Sequence, residues 1–169
     1  PLQDYCDEMN IPLVIEKTNI GTVVFDVRKE SNPCSLCAKM RRGALDNVAL
    51  RLGCNKVALA HHADDVIETL FLNMIYTGRF DTFDPKTYLS RKQLTLIRPL
   101  IYLDEKTVRS IALSRKLPII ENPCPASGTT KRAEMKGLLS QMEEIFVKAK
   151  PNILAAIKRK NFFKDSNPI

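Results

Sequence analysis

The chain reads as an α/β protein: a parallel sheet with helices on both faces, followed by a small helical appendage. Three observations predict this. Lys56–Ala60 is a near-continuous apolar run, the pattern of a strand covered on both sides. It passes through the polar segment His61-His62-Ala63-Asp64-Asp65 into a helix whose stripe is Val66, Ile67, Leu70, Phe71, Met74 and Ile75. A second short strand, Leu94–Ile97, again leads to a helix, and such alternation implies parallel strands with helical crossovers.

The remaining elements follow in order. Asp4–Asn10 reads as the end of a helix, with Tyr5 and Met9 one turn apart and Cys6 packed inside. Ile11–Lys17 is β-branched and apolar, and so reads as a strand. Thr18–Pro33 is a long loop with a short strand or turn over Thr22–Val27. From Cys37 to Leu52 a helix is expected to bury Ala44, Leu45, Val48, Ala49 and Leu52, with Gly53 as its stop and Cys54 as a small core residue. Gly78 ends the helix after Asp65, and Arg79–Lys92 is a polar, turn-rich excursion. Asp104 caps a helix running to about Lys116, with Leu103 stapled onto Val108, and Leu117–Ile120 is extended. Two prolines pin Cys124 in the loop Glu121–Thr130. Lys131–Lys148 is a helix with Met135, Leu138, Leu139, Met142, Ile145 and Phe146 on one face. Pro151 opens a last helix that buries Ile153, Leu154 and Ile157, and Asn161–Ile169 is a tail.

Composition bounds the function. The 169 residues are 44% hydrophobic and 27% charged, as in an ordinary globular domain, and no apolar run is long enough for a membrane span. A net charge of +7 points to a polyanionic partner, most simply nucleic acid, against a merely solvated basic surface. Five cysteines, an odd number, fit a reducing cytoplasm, where paired cysteines bind metal or do redox chemistry.

The chemistry gathers around Asn32–Leu45. Cys34 and Cys37 stand three residues apart, a bidentate grip on zinc or an iron–sulfur cluster, or a redox pair. Lys39, Arg41 and Arg42 follow at once, and Lys131 and Arg132 follow the Cys124 loop. These cations suit RNA or nucleotide phosphates. A carboxylate pair at a strand end, Asp64 and Asp65, suits Mg²⁺, although either residue could be only a helix cap.

Taken together, Cys34-Ser-Leu-Cys37 through Arg41-Arg42-Gly43, then Ala60-His61-His62-x-Asp64-Asp65-x-x-Glu68-Thr69-Leu70-Phe71-Leu72-Asn73-Met74, resemble the tRNA 2-thiocytidine synthetases. So do Ile97-Arg98-Pro99-Leu100, Glu105-Lys106 and the proline-flanked Cys124. These enzymes are a branch of the PP-loop ATP pyrophosphatase superfamily, and the resemblance runs from about Ile11 to Lys136. It implies an adenine-nucleotide alpha-hydrolase-like fold. It also implies an ATP-dependent sulfurtransferase that adenylates the C2 oxygen of a tRNA cytosine and lets a sulfur nucleophile displace AMP. Carried over, Cys34, Cys37 and Cys124 would hold a four-iron, four-sulfur cluster with one iron open. Asp64 and Asp65 would serve catalysis through Mg²⁺, and His61, His62 and Arg42 would contact ATP. Lys39, Arg41, Lys131 and Arg132 would bind tRNA. A sulfur-donor system and a homodimer complete the expected partners, in the cytoplasm.

One departure stands out. The superfamily's Ser-Gly-Gly-x-Asp-Ser phosphate loop is absent, since no Gly-Gly occurs among the six glycines. In the family that loop lies upstream of where this chain begins. Residues 1–130 are therefore expected to be a partial nucleotide-binding domain carrying the Cys-x-x-Cys segment, and residues 131–169 its C-terminal helices and tail. An N-terminally truncated chain of this kind is expected to be inactive alone. Competing readings are a 2-thiouridine- or lysidine-forming relative and, from another class, a zinc-stabilised RNA-binding module.

Overall fold

The computed structural model describes residues 1–29 and 33–159. Its centre is a three-stranded mixed sheet in the order β1-β3-β2: β1 (Lys56–Ala58), β2 (Lys86–Leu89) and β3 (Leu94–Ile97). β1 and β3 are parallel, with Val57 opposite Leu96. β2 runs antiparallel to β3, with Thr87 opposite Leu96, so the polar excursion supplies an edge strand that sequence patterning did not reveal. Helices flank the sheet: α1 (Leu2–Glu8), α2 (Ile20–Thr22), α3 (Pro33–Arg51), α4 (Ala63–Thr77), α5 (Glu105–Ser114), α6 (Lys131–Ile145) and α7 (Ala149–Arg159).

Two apolar clusters hold these elements. Ala49 of α3, Val57 of β1, and Leu94 and Leu96 of β3 form one. Alternate residues of a strand face opposite ways, so Val57 is buried while Lys56 and Ala58 are exposed; β1 is covered on one side, not two, among the described residues. The larger cluster joins Val66, Ile67 and Leu70 of α4 to Ile101, to Met135 and Leu139 of α6, and to Ile157 of α7. The C-terminal helices thus share a core with α4.

Several expectations are corrected. Ile11–Lys17 forms no strand: no described strand lies beside it to complete a ladder, and Ile15 is 67% exposed. Thr22–Val27 is helical, as α2 runs into a π-helical turn (Val23–Arg28); Ile20 and Val24, four residues apart, share the buried face. α3 begins at Pro33, so both Cys34 and Cys37 lie within its first turns. Its inner face holds Asp46 and Ala49, while Leu45 and Leu52 are exposed. Asp46 can be buried because Lys92 Nζ lies 3.2 Å from its Oδ2. Cys54 is exposed, whereas Cys6 is buried as expected. Met74, Ile75, Leu138, Ile145 and Phe146 stay exposed, so the true stripes of α4 and α6 are narrower than the periodic runs. The tail at Asn161–Ile169 lies outside the described residues.

Helix ends match their residues. Gly53 and Gly78 take φ of +70° and +63°, the left-handed region that only glycine enters at no steric cost. Asp104 Oδ1 accepts the Thr107 N–H at 2.6 Å, and Thr130 Oγ1 accepts the Ala133 N–H at 3.2 Å. Leu139→Ala is expected to cost about 2–5 kcal/mol in urea unfolding, because it opens a cavity in the larger cluster. Ile145→Ala, at a site 72% exposed on the same helix, is expected to stay within about 0.5 kcal/mol.

Candidate nucleotide and RNA site

Because β1 and β3 are parallel, their carboxyl ends open at one edge of the sheet, the place where α/β sheets hold ligands. The chain leaving β1 carries His61 and His62, and the chain leaving β3 carries Arg98. Phe83 joins them: its ring centroid lies 4.8 Å from that of His61 and 4.8 Å from the Arg98 guanidinium carbon. Arg98 is only 6% exposed. Its Nη1 donates to the Asp84 carbonyl at 2.5 Å and to Thr87 Oγ1 at 3.5 Å. Burial pushes the His61 pKa below its ordinary value; Asp65 works against this, and Arg98, Arg42 and Arg132 reinforce it.

The two aspartates differ. Asp64, 6% exposed, accepts the Glu105 N–H on Oδ2 at 2.7 Å and meets Lys150 Nζ on Oδ1 at 3.0 Å. Lys150 also pairs with Glu143 at 2.8 Å. Burial, the largest influence on Asp64, raises its pKa, but the Glu105 N–H and the Lys150 ammonium outweigh it and hold the carboxyl below the usual range. Asp65 accepts the His62 N–H on Oδ2 at 2.9 Å, the cap bond of α4, and its Oδ1 stands 3.6 Å from Arg132 Nη1.

Arg132 ties α6 to α4 through Glu68 Oε2 at 2.8 Å and Thr69 Oγ1 at 3.0 Å. Burial raises the Glu68 pKa, with Arg132 opposing. Lys131 pairs with Glu134 at 2.9 Å and stands 5.9 Å over the Tyr76 ring, while Lys39 and Arg41 lie exposed on α3.

The cysteines do not close into a triad. Cys34 is exposed, and Cys37 and Cys124 are half-buried. Among the described residues no three His, Cys, Asp or Glu side chains come together as a metal site. The Cys124 turn closes on itself instead: its N–H donates to Asn122 Oδ1 at 3.2 Å, and its carbonyl accepts the Ser127 N–H at 2.9 Å. In donor chemistry the set fits an iron–sulfur cluster, since all three thiols are free and Cys34 and Cys37 share one helical turn. Mg²⁺ fits Asp65 better than Asp64, because among the described residues Asp65 Oδ1 has only the 3.6 Å Arg132 contact while both Asp64 oxygens are engaged at 3.0 Å or less. The buried Nδ1 of His61 has no hydrogen-bond partner and fits a polar ligand such as a nucleotide, while that of His62 stands 3.7 Å from Asp64 Oδ2.

Reasoning from sequence alone omitted Arg98, Glu68 and Lys150 from the site. Arg98 had a signal, an Arg-Pro directly after a strand, and Glu68 is a charge inside an apolar stripe. Lys150 had none, because its partner lies on a distant helix.

Residues 1–142 match the PP-loop domain family, and the chain belongs to that family. Within it, the chain is 38% identical over 146 residues to the tRNA-cytidine(32) 2-sulfurtransferase of Syntrophotalea carbinolica, covering 85% of this chain and 56% of that protein. It is 36% identical over 159 residues to the enzyme of the same name from Pelobacter propionicus, covering 92% of this chain and 59% of the relative. The chain thus spans little more than half the length of these curated relatives. Among solved structures it resembles the U34-tRNA thiolase NcsA from Methanococcus maripaludis with its [4Fe-4S] cluster, with a TM-score of 0.70 and 27% identity, covering 93% of this chain and 53% of that one. No described helix is long and apolar enough to cross a membrane.

The depressed pKa of His61 has a sign that can be checked. Between its folded and unfolded values the unfolded chain binds more protons, so stability rises with pH there. The contribution is present above about pH 6.5, the ordinary histidine value, and is lost as pH falls through the folded value. Chemical denaturation across pH 7 to 5 is expected to show this loss, and His61→Gln is expected to flatten it.

Proposed function

We propose that this protein serves ATP-dependent tRNA thiolation, replacing the C2 oxygen of a tRNA cytosine with sulfur. One observation carries the reading: 38% identity over 85% of the chain to a tRNA-cytidine(32) 2-sulfurtransferase. The site's charge supports it, with Arg42, Arg98 and Arg132 all acting on His61 at the carboxyl end of β1. In this reading residues 1–130 carry the nucleotide chemistry, and α6 and α7, within residues 131–169, flank the RNA. His61, His62 and Arg42 line the nucleotide side. Lys39, Arg41, Lys131 and Arg132 attract the tRNA backbone.

The acidic pair divides its work. Asp65 reaches the nucleotide side, where Mg²⁺ would offset charge building on the pyrophosphate leaving group. Asp64 supports it from below as a clamp, and could take a metal only by releasing Lys150. Cys34, Cys37 and Cys124 would hold an iron–sulfur cluster, which would supply the sulfur-transfer chemistry when bound. Among these groups, the residues' own work is to orient the cytosine edge, exclude water and hold the leaving phosphates. A sulfur-donor system, a cytoplasmic location and a homodimer belong to the same proposal. The identities above favour cytosine over the uridine of the structural neighbour.

Because this chain carries no phosphate loop and is expected to be inactive alone, mass spectrometry of nucleosides from tRNA incubated with the full-length protein tests the proposal. Cys37→Ala is expected to abolish 2-thiocytidine while leaving nucleotide binding intact. Asp65→Ala is expected to slow AMP formation by about a hundredfold, the usual loss when one electrostatic contact to a leaving group is removed. Unchanged thiolation in Cys37→Ala would rule out the cysteine assignment, and a zinc-stabilised RNA-binding module would then be the better description.

A further inference from the structure

An open apolar groove of about 290 Å³ runs between the second half of α4 and α7, with Leu70, Met74, Phe80, Ile153, Ala156 and Ile157 among its walls. None of its lining residues is charged or polar. Leu70 and Ile157 form the floor and belong to the larger core cluster. Met74 and Phe80 on the rim are 41% and 57% exposed. A contiguous apolar surface left this open marks a place that something covers. The α7 wall lies beyond residues 1–142, which match the PP-loop domain, so the groove is not part of that nucleotide-binding unit.

The sequence directly after α7 supplies a cover. It reads Lys160-Asn161-Phe162-Phe163-Lys164-Asp165, an aromatic pair between polar residues, and it lies outside the described residues. With Arg159 as the last helical residue, Lys160 is the C-cap and Asn161 follows it. That next position commonly turns left-handed, with Gly the usual residue and Asn the alternative. In such a turn the residue after it packs back onto the third and fourth residues from the helix end. Here that sets Phe162 against Ile157 and Ala156, both of which line the groove. Reach agrees with this. Ala156 lies about 4.5 Å along the helix axis from Arg159, at about 1.5 Å per residue. The three residues to Phe162 span up to about 10 Å. Ala156 is also the smallest lining side chain, and it leaves the space that an aromatic ring fills. A groove of this size takes one or two side chains, not the roughly 800 Å² patch per partner of a stable dimer.

We propose that the α4–α7 groove is the docking site of this chain's own segment after α7, which turns at Asn161 and seats Phe162 and Phe163 between the two helices. The docked pair straps the C-terminal end of α7 onto α4. α7 is the helix from which Lys150 reaches Asp64, so the strap also steadies that contact. The inference stands apart from the thiolation reading and survives its failure.

Thermal unfolding and methyl NMR of the full-length protein test this. Changing the pair together, Phe162→Ser with Phe163→Ser, is expected to lower the melting temperature by about 3–10 °C. Ala156→Arg puts a charge where the rings sit and is expected to cause a similar fall. The two changes combined are expected to cost no more than Ala156→Arg alone, because both remove the same contact. Should Ala156→Arg fail to fold, Met74→Lys on the facing helix takes its place. In protein labelled at methionine methyls, the Met74 signal, assigned by Met74→Leu, is expected to be displaced by the aromatic rings. It is expected to return to the ordinary position in the Phe-pair variant. Additive losses in melting temperature, or a Met74 signal that the Phe changes do not move, overturn the proposal. An assembly that becomes smaller with Ala156→Arg but not with the Phe pair overturns it in favour of a second copy in the groove.

Discussion

The Asp64 carboxylate is the interaction on which the rest of this structure depends. It sits at the first turn of α4, buried, and each of its oxygens is held by a different part of the chain. The backbone N–H of Glu105 ties it to the start of α5, and the Lys150 ammonium ties it to α7. Lys150 reaches on to Glu143 in α6. Four helices therefore meet through two carboxylates, one ammonium and one backbone N–H. Such a charge pair is tolerable at a buried position because each Asp64 oxygen has a donor. The apolar cluster of Ile67, Leu139 and Ile157 lets these helices approach, but it is not directional. The ionic knot sets the position of the α4 N-terminus, and with it His61, His62 and Asp65.

A second consequence is a division of charge. On the knot side of α4, carboxylates and cations cancel in short-range pairs. On the side facing the carboxyl ends of β1 and β3, arginines converge with few counter-charges. The net charge of +7 is thus not evenly spread in effect: part of it is focused where parallel strands end. The thiols at the start of α3 lie on the same helix as Arg42.

Much of this was legible in the sequence, for physical reasons. The stops at Gly53 and Gly78 were readable because left-handed backbone nearly demands glycine. The cap Asp104 was readable as local chemistry, while Thr130 was read only as the end of a loop. The α4 stripe was readable at its first two turns, where packing is dense, and not at Met74 and Ile75, where no described element covers it. What could not be read depends on distant partners. Ile11–Lys17 has a strand's composition but no described neighbour to pair with. Asp46 looks like a surface residue until Lys92 is brought beside it. β2 is too polar to announce itself, and becomes a strand by pairing with β3. In the site, the histidines and aspartates stood together in sequence, while Lys150 and Arg98 joined them only through the fold.

The most direct measurement is a double-mutant cycle on the knot, with Asp64→Asn, Lys150→Met and the pair compared by chemical denaturation at neutral pH. The account predicts that each single change destabilises the protein by about 2 kcal/mol, as for hydrogen bonds to charged groups. It also predicts that the double mutant loses clearly less than the sum, with a coupling of about 1 kcal/mol or more. Strict additivity, within about 0.3 kcal/mol, would contradict it and leave apolar packing alone to position the site.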